Sequence, residues 1–377
     1  MTSPASIAAV VQSALDGGFN TLLVQVRGRG EAFYRSAIEP RATDLDRQAA
    51  DFDPLQTMIT QARQAGLAVH AWVNVNLVAS GTTLPRSREH VANLHPDWLM
   101  VPKALAPALS KTGVWSPAYL GTLARWTRTS SDQVEGMYVS PVTAASRAYT
   151  TSVLAELAAR YALDGIHLDY IRYPGAAFDF SPTSVSAFRE SVAGSLSRSE
   201  RERLDRSALA DPTAWPDAWP AEWAAFHRER LNLLVASISK AVHEARPALV
   251  LSAAVVGVAA EAREQRYQDW MAWAKAGRID VACPMLYALS VEQFTAVTAE
   301  IHASIGSVPY WAGIGAYRLP IDATIERVRL ARRANAAGVL LFSYGQLAEA
   351  GPPAAATLSA LRPVLLESTN GSGGVPR

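Results

Sequence analysis

The feature that most limits what this chain can become is its rhythm. Short β-rich runs alternate with amphipathic helical stretches. Thr21–Val26 (TLLVQV) reads as a strand, and it follows a helix over Ile7–Leu15 that Gly17 and Gly18 stop. The strand Ala68–Val73 follows the helix Leu55–Ala65, Gly165–Ile171 follows Ser146–Tyr161, and Leu249–Val256 follows Ala224–Ala245. Asp280–Tyr287 follows Tyr267–Ala276, Val308–Ile314 follows Val291–Ile305, and Gly338–Tyr344 follows Thr324–Ala336. A last helix is expected over Ala354–Leu361. Strands separated by helices require a parallel sheet with crossover helices. The last four strands recur about every 30 residues, the size of one βα unit. Runs such as VLLFSY are apolar on both faces, as strands covered by helices must be.

The count is seven, and a (β/α)8 TIM barrel needs eight. The series opens on a helix. The expectation is therefore an α/β barrel whose first strand is missing from the N-terminus, with an open doubly wound sheet as the alternative. Residues 1–362 would form one barrel and 363–377 a flexible tail rich in Gly and Ser. Two connections are long, about 75–145 and 175–223. They follow the third and fourth strands of an eight-strand count, at the face where barrel active sites sit. Tryptophans 98, 115, 126, 215, 219 and 223 within them argue against disorder.

Composition narrows the function. The single cysteine, Cys283, excludes a disulfide scaffold. With 35 Lys+Arg against 34 Asp+Glu, no bulk charge attracts nucleic acid. No uncharged apolar run of about 18 residues exists to span a bilayer. Met1–Val10 lacks the basic start and apolar stretch of a signal peptide. Ten Trp and twelve Tyr outnumber nine Phe, which suits a cleft for a polar ligand. No HExxH, CxxC or GxSxG pattern occurs, so neither metal, cofactor nor serine-hydrolase chemistry is expected.

The strongest local signal is Asp164-Gly-Ile-His-Leu-Asp-Tyr-Ile-Arg-Tyr-Pro174. Alternation along a strand puts His167, Asp169 and Ile171 on one face and Ile166, Leu168 and Tyr170 on the other. Asp169 then points into the barrel mouth, where a carboxylate needs a partner, and Arg172 is the nearest candidate. The competing reading is a structural Asp–Arg pair closing the strand. Other strand ends repeat the theme. Arg27, Arg29 and Tyr34 follow the first run, and His70, Trp72 and Asn74 share a face of the second. Met285 and Tyr287, then Tyr317, then Tyr344 mark three later tips. Sugar rings stack on such aromatics and bond to their hydroxyls, so these residues are candidate substrate contacts together with His95, Trp98, His167, Arg172 and Tyr173. Each is also compatible with plain packing.

At DGIHLDYIRYP the chain resembles glycoside hydrolase-like family 10, the former DUF187 group of bacterial (β/α)8 glycosidase-like proteins. GFNTLLVQVRGRGEAFY, the segment DFDPLQTMITQARQAGLAVHAWVN, HPDW, YQDW through GRIDVACPMLY, GIGAYR and GVLLFSYG continue the resemblance over roughly residues 17–347. It implies glycoside hydrolysis with Asp169 catalytic, a carbohydrate substrate, and export, in some members with a lipid anchor. Many members carry a second acid directly after this aspartate, where Tyr170 stands here. A more distant likeness to family 18 chitinases has Ile171 at the position of their acid glutamate.

Glycosidases use two carboxyls, one giving a proton and one acting as base or nucleophile. For the second, Glu31 ranks first because it follows a glycine turn at a strand tip. Asp97, Asp179, Glu261 and Glu264 follow. The alternative from another functional class is a non-catalytic carbohydrate-binding barrel.

Overall fold

The computed structural model describes residues 1–287, 289–349 and 354–367. Nine strands are present among them: β1 Thr21–Arg27, β2 Ala68–Asn74, β3 Leu77–Ser80, β4 Gly136–Tyr138, β5 Gly165–Asp169, β6 Val250–Val256, β7 Val281–Met285, β8 Trp311–Ile314 and β9 Gly338–Leu341. Seven of them form one parallel sheet in the order β1-β2-β5-β6-β7-β8-β9, and β3 pairs antiparallel with β4 in a separate ribbon. All seven strands expected from the rhythm are found in sequential order, and no eighth joins the sheet among the described residues. The architecture is an α/β fold around a curled seven-stranded parallel sheet.

The core lies between the sheet and its helices. Val69, Ala71 and Val73 of β2, Ile166 and Leu168 of β5, and Leu251, Ala253 and Val255 of β6 point outward into one apolar cluster. They meet Leu154 and Leu157 from the helix Ala144–Arg160, and Leu231, Leu234 and Val235 from the helix Pro220–Ala245. Full burial of each Val, Leu or Ile among them contributes about 1.5–3 kcal/mol. The alternate residues face inward and are of another kind: His70, Trp72, His167, Ser252, Cys283 and Trp311. The glycine at 165 makes room for them, since a Cβ there would lie 2.3 Å from His70 Nδ1.

The long connections are structured. Residues 75–143 hold the β3–β4 ribbon and the helix Pro117–Thr129 around a second core of Val78, Trp98, Leu99, Tyr119 and Leu123. Residues 175–219 hold the helices Pro182–Ala193, Arg198–Ala208 and Ala214–Ala218 around Phe180, Phe188, Trp215 and Trp223. Trp98, Trp215 and Trp223 thus build satellite cores, which takes Trp98 away from the substrate contact expected of it. Each insertion buries its own aromatics in a core separate from that of the sheet.

The last helix runs from Ala354 to Leu366, beyond the expected boundary at 362. Its end is held by Arg332, whose guanidinium donates to the carbonyls of Val364 and Leu365. It packs on the first helix, Pro4–Gly17, where Arg362 donates to the Leu15 carbonyl at 2.7 Å. The expected tail from 368 onward lies outside the described residues.

Candidate active site

The site is built where β2 and β5 end. Asn74 and Asp169 are register partners at the last position of that pair. Beyond them the chain of β2 does not leave the sheet. Val75 N–H donates to the Asp169 carbonyl at 2.7 Å and Asn76 N–H to the Tyr170 carbonyl at 3.3 Å. The Asn76 side chain donates to the Arg172 carbonyl at 3.1 Å. This clamp carries directly into β3, which pairs with β4. The ribbon is therefore rigidly referenced to the tip of β5.

Asp169 is buried, at 8% exposure. Its Oδ1 accepts from Tyr170 N–H at 2.7 Å and its Oδ2 from the Trp72 indole N–H at 3.1 Å. The same indole N–H is shared with Asn74 Oδ1 at 3.0 Å. Arg172 Nη1 lies 3.6 Å from Asp169 Oδ1 and has no hydrogen-bond partner. Burial raises the Asp169 pKa above the ordinary carboxylate value, although Arg172 and the two donors pull the other way. A carboxyl held protonated more readily than usual can donate a proton.

Beside it stands an aromatic cup. Phe342 stacks on Tyr287 with centroids 5.4 Å apart, and meets Trp72 edge-on at 5.7 Å and Tyr317 at 5.9 Å. Trp72 joins the cup to the carboxylate through its indole N–H. Burial, with the Asp169 charge as a further cause, raises the Tyr287 pKa, so its hydroxyl stays protonated and can donate to a sugar oxygen.

Facing Asp169 across Arg172 is Glu135, which precedes β4. Its Oε1 accepts from Arg172 Nη2 at 3.3 Å and its Oε2 from the Tyr138 hydroxyl at 2.6 Å. Burial works to raise its pKa, but Arg172 and Tyr138 outweigh that and hold it below the ordinary value. The chain turns at Tyr170, whose φ is +51°. The Tyr170 ring lies under the Arg172 guanidinium at 4.3 Å and meets Tyr138 edge-on at 6.0 Å.

The structure brings together Trp72, Asn74, Asp169, Arg172, Tyr287 and Tyr317 from the expected set. Met285 ends β7, half-buried. His70 and His167 lie on the same inner face, one step further from the strand tips. His167 bonds Ser252 Oγ at 2.9 Å, and His70 packs on Trp311 at 5.6 Å.

Others are elsewhere. Arg27 is fully buried and clasps Glu39 through two 2.7 Å bonds, with Nη1 donating to the carbonyls of Asn74 and Val75. It braces the end of β2 and is not free for substrate. Arg29 is exposed, and its carbonyl accepts from His90 Nε2 at 2.8 Å. Tyr34 is buried edge-on against Tyr161 at 5.7 Å. His95 stacks on Trp98 at 3.7 Å in the second core, and Tyr173 is fully buried with its hydroxyl 2.9 Å from His227 Nδ1. Tyr344 opens the helix Tyr344–Glu349 and packs on the main core, so Phe342 takes the place in the cup expected for it.

Of the proposed second acids, Glu31 and Asp179 are engaged by partners elsewhere. Glu31 Oε2 accepts from the Thr43 N–H at 3.1 Å and the Thr43 hydroxyl at 3.2 Å. Asp179 is fully buried and accepts from the N–H groups of Val101 and Ser181, at 2.9 Å each, and from the Ser184 hydroxyl. Asp97 lies in the turn Pro96–Trp98 of the first insertion. Glu261 and Glu264 are exposed on the helix Ala259–Gln265. Sequence reasoning missed Glu135 and Phe342. Strand alternation from Leu340 pointed to Phe342, but Glu135 sits in a segment read only as a loop.

A curled parallel α/β sheet with a buried carboxylate and aromatic rings at its strand tips defines a glycosidase-like class. The comparison with known proteins agrees: the chain belongs to the glycosyl hydrolase-like 10 family, whose profile matches residues 4–307. It is similar to the glycosyl hydrolase DigH of Escherichia coli K12, 25% identical over 313 residues that cover 76% of this chain and 60% of that protein. The glycosyl hydrolase YngK of Bacillus subtilis is 23% identical over 292 residues, 72% of this chain and 46% of that protein. The chain thus spans less than two thirds of the length of these curated relatives. Among solved structures, the PgaB (BpsB) glycoside hydrolase domain of Bordetella bronchiseptica superposes with a TM-score of 0.64 at 12% identity, over 97% of this chain and 94% of that one. That likeness is one of fold.

Proposed function

We propose that this protein hydrolyses a glycosidic bond in a bacterial poly- or oligosaccharide, by acid–base catalysis centred on Asp169. The observation that carries the reading is the placement of Asp169 against the aromatic cup. A carboxyl with a raised pKa lies one indole away from three further rings that can stack on a sugar face. In this reading Tyr287, Tyr317, Phe342 and Trp72 hold the ring, and Asp169 protonates the departing oxygen. A substrate outside the cytoplasm, such as cell-wall glycan or exopolysaccharide, accords with the export implied by the family resemblance.

The test is a screen against bacterial cell-wall and exopolysaccharide glycans, with the products identified. Asp169→Asn is expected to keep the fold and lower turnover by roughly 10²–10⁴-fold. Undiminished turnover by that variant would overturn the assignment. One feature favours a second reading, a carbohydrate-binding barrel without catalysis: Tyr170 stands where the family resemblance implies a second acid. That reading predicts glycan binding with no new reducing ends.

A further inference from the structure

We infer that Glu135 is the second catalytic carboxylate, the base that activates water opposite Asp169. The inference rests on the glycosidase reading above and adds to it a residue from outside the parallel sheet. Four observations support it. First, Asp169 and Glu135 contact adjacent nitrogens of one guanidinium, at 3.6 Å and 3.3 Å. Carboxyls sharing one planar guanidinium lie within the reach of glycosidase acid pairs, roughly 5–10 Å.

Second, Glu135 keeps 43% of its side chain accessible, whereas Asp169 is buried. A base that must receive a water needs that access. Third, the position is fixed. The Tyr138 hydroxyl and Arg172 hold the two Glu135 oxygens, and the β2–β3 clamp holds the ribbon against the tip of β5. Fourth, the environments of the two acids drive them apart. Burial raises Asp169, while Arg172 and Tyr138 together overcome burial to lower Glu135. Divergent environments of this kind separate a proton donor from a base. Tyr170 then has a role of its own. At the position of the missing acid it supplies a ring beneath Arg172, and the guanidinium so placed reaches the acid contributed by the ribbon.

In the step, Glu135 takes a proton from water as the water oxygen bonds to the anomeric carbon. The glycosidic C–O bond breaks, and its electron pair passes to the leaving oxygen, which takes the proton of Asp169. The net reaction is hydrolysis, and solvent restores the two protonation states.

The experiment measures reducing ends released from bacterial cell-wall glycan and exopolysaccharide by the wild type and by Glu135→Ala, Glu135→Gln and Asp169→Asn, each checked for native circular dichroism. Expected is a loss of roughly 10²–10⁴-fold in all three. Sodium azide restores cleavage to Glu135→Ala alone, read as glycosyl azide by mass spectrometry because that product carries no new reducing end; the small anion replaces the activated water. Glu135→Gln also loses the acid limb of the pH profile. Wild-type turnover by the Glu135 variants overturns the inference while leaving Asp169 standing. So does a loss that azide does not restore, which would make Glu135 a positioning residue for Arg172. A wild type that cleaves no glycan overturns the glycosidase reading and this inference together.

Discussion

Asp169 and Arg27 are both ionisable residues at strand tips, and packing gives them different work. Arg27 has every nitrogen engaged, by Glu39 and by two carbonyls, behind the wall of the site. Asp169 has a neighbouring cation with an unpartnered nitrogen and faces the cup. Removing one member of a buried pair strands the other charge. Arg27→Met is therefore expected to cost about 3–5 kcal/mol, and adding Glu39→Leu to recover part of it. Urea unfolding of the two variants checks this, and a loss below about 1 kcal/mol in Arg27→Met would contradict the bracing role. The sequence pattern RGRG marked Arg27 as a strand-tip cation. It could not show Glu39, twelve residues on, folding back to neutralise it.

At the scale of elements, the β3–β4 ribbon matters most for the site. Gly136 begins β4 one residue after Glu135, and a Cβ there would lie 2.1 Å from the backbone carbonyl of Ala79. Gly136→Ala must push the two strands apart at the point that presents Glu135. Overpacking of this kind costs typically 1–3 kcal/mol. Because the ribbon packs on its own satellite core, the parallel sheet is expected to survive. The expected outcome is a protein with native far-UV circular dichroism, thermal unfolding lowered by several degrees, and turnover reduced as in Glu135→Gln. Unchanged turnover would show that the ribbon does not position the site. The strands of the sheet were legible from periodicity because each is a short apolar run with an amphipathic helix before it in the chain. The ribbon was not, because β4 has three residues and its partner lies more than fifty residues earlier.

For the whole molecule, four buried histidines, His70, His90, His167 and His227, tie stability to pH, each lowered by burial. Burial lowers His70 to about 4, and His167 and His227 to about 3. Unfolded, each titrates near 6.5. Below about pH 6.5 the unfolded chain therefore binds protons that the folded chain refuses, so stability is full above that pH and falls as pH drops. Each histidine contributes about 1.4 kcal/mol of loss per pH unit until its folded value is reached. Asp169 and Asp179, raised by burial, act in the opposite sense, their contribution being present at low pH and lost as pH rises through the carboxylate range. Denaturation midpoints measured from pH 7 to 5 are expected to fall steeply. Substituting His227 by Phe should flatten the slope by one proton, and a flat wild-type profile would refute the reading of these histidines as buried and neutral.

What the sequence alone determined is the order and type of the elements: seven strands, their helices, and the carboxylate at the tip of the strand GIHLD. Hydrophobic periodicity is local, and burial on both faces leaves a readable trace in each segment. Tertiary structure decided which polar residues meet. Only the folded chain brings Glu135 to Arg172 and Asp169, sends Phe342 rather than Tyr344 into the cup, and retires Arg27, Tyr34, Trp98 and Tyr173 into packing. These outcomes depend on contacts between residues far apart in the chain, whose energies no window of sequence contains. The same physics explains why Trp98 was misplaced: an aromatic ring that can stack on a sugar can bury itself equally well against another ring.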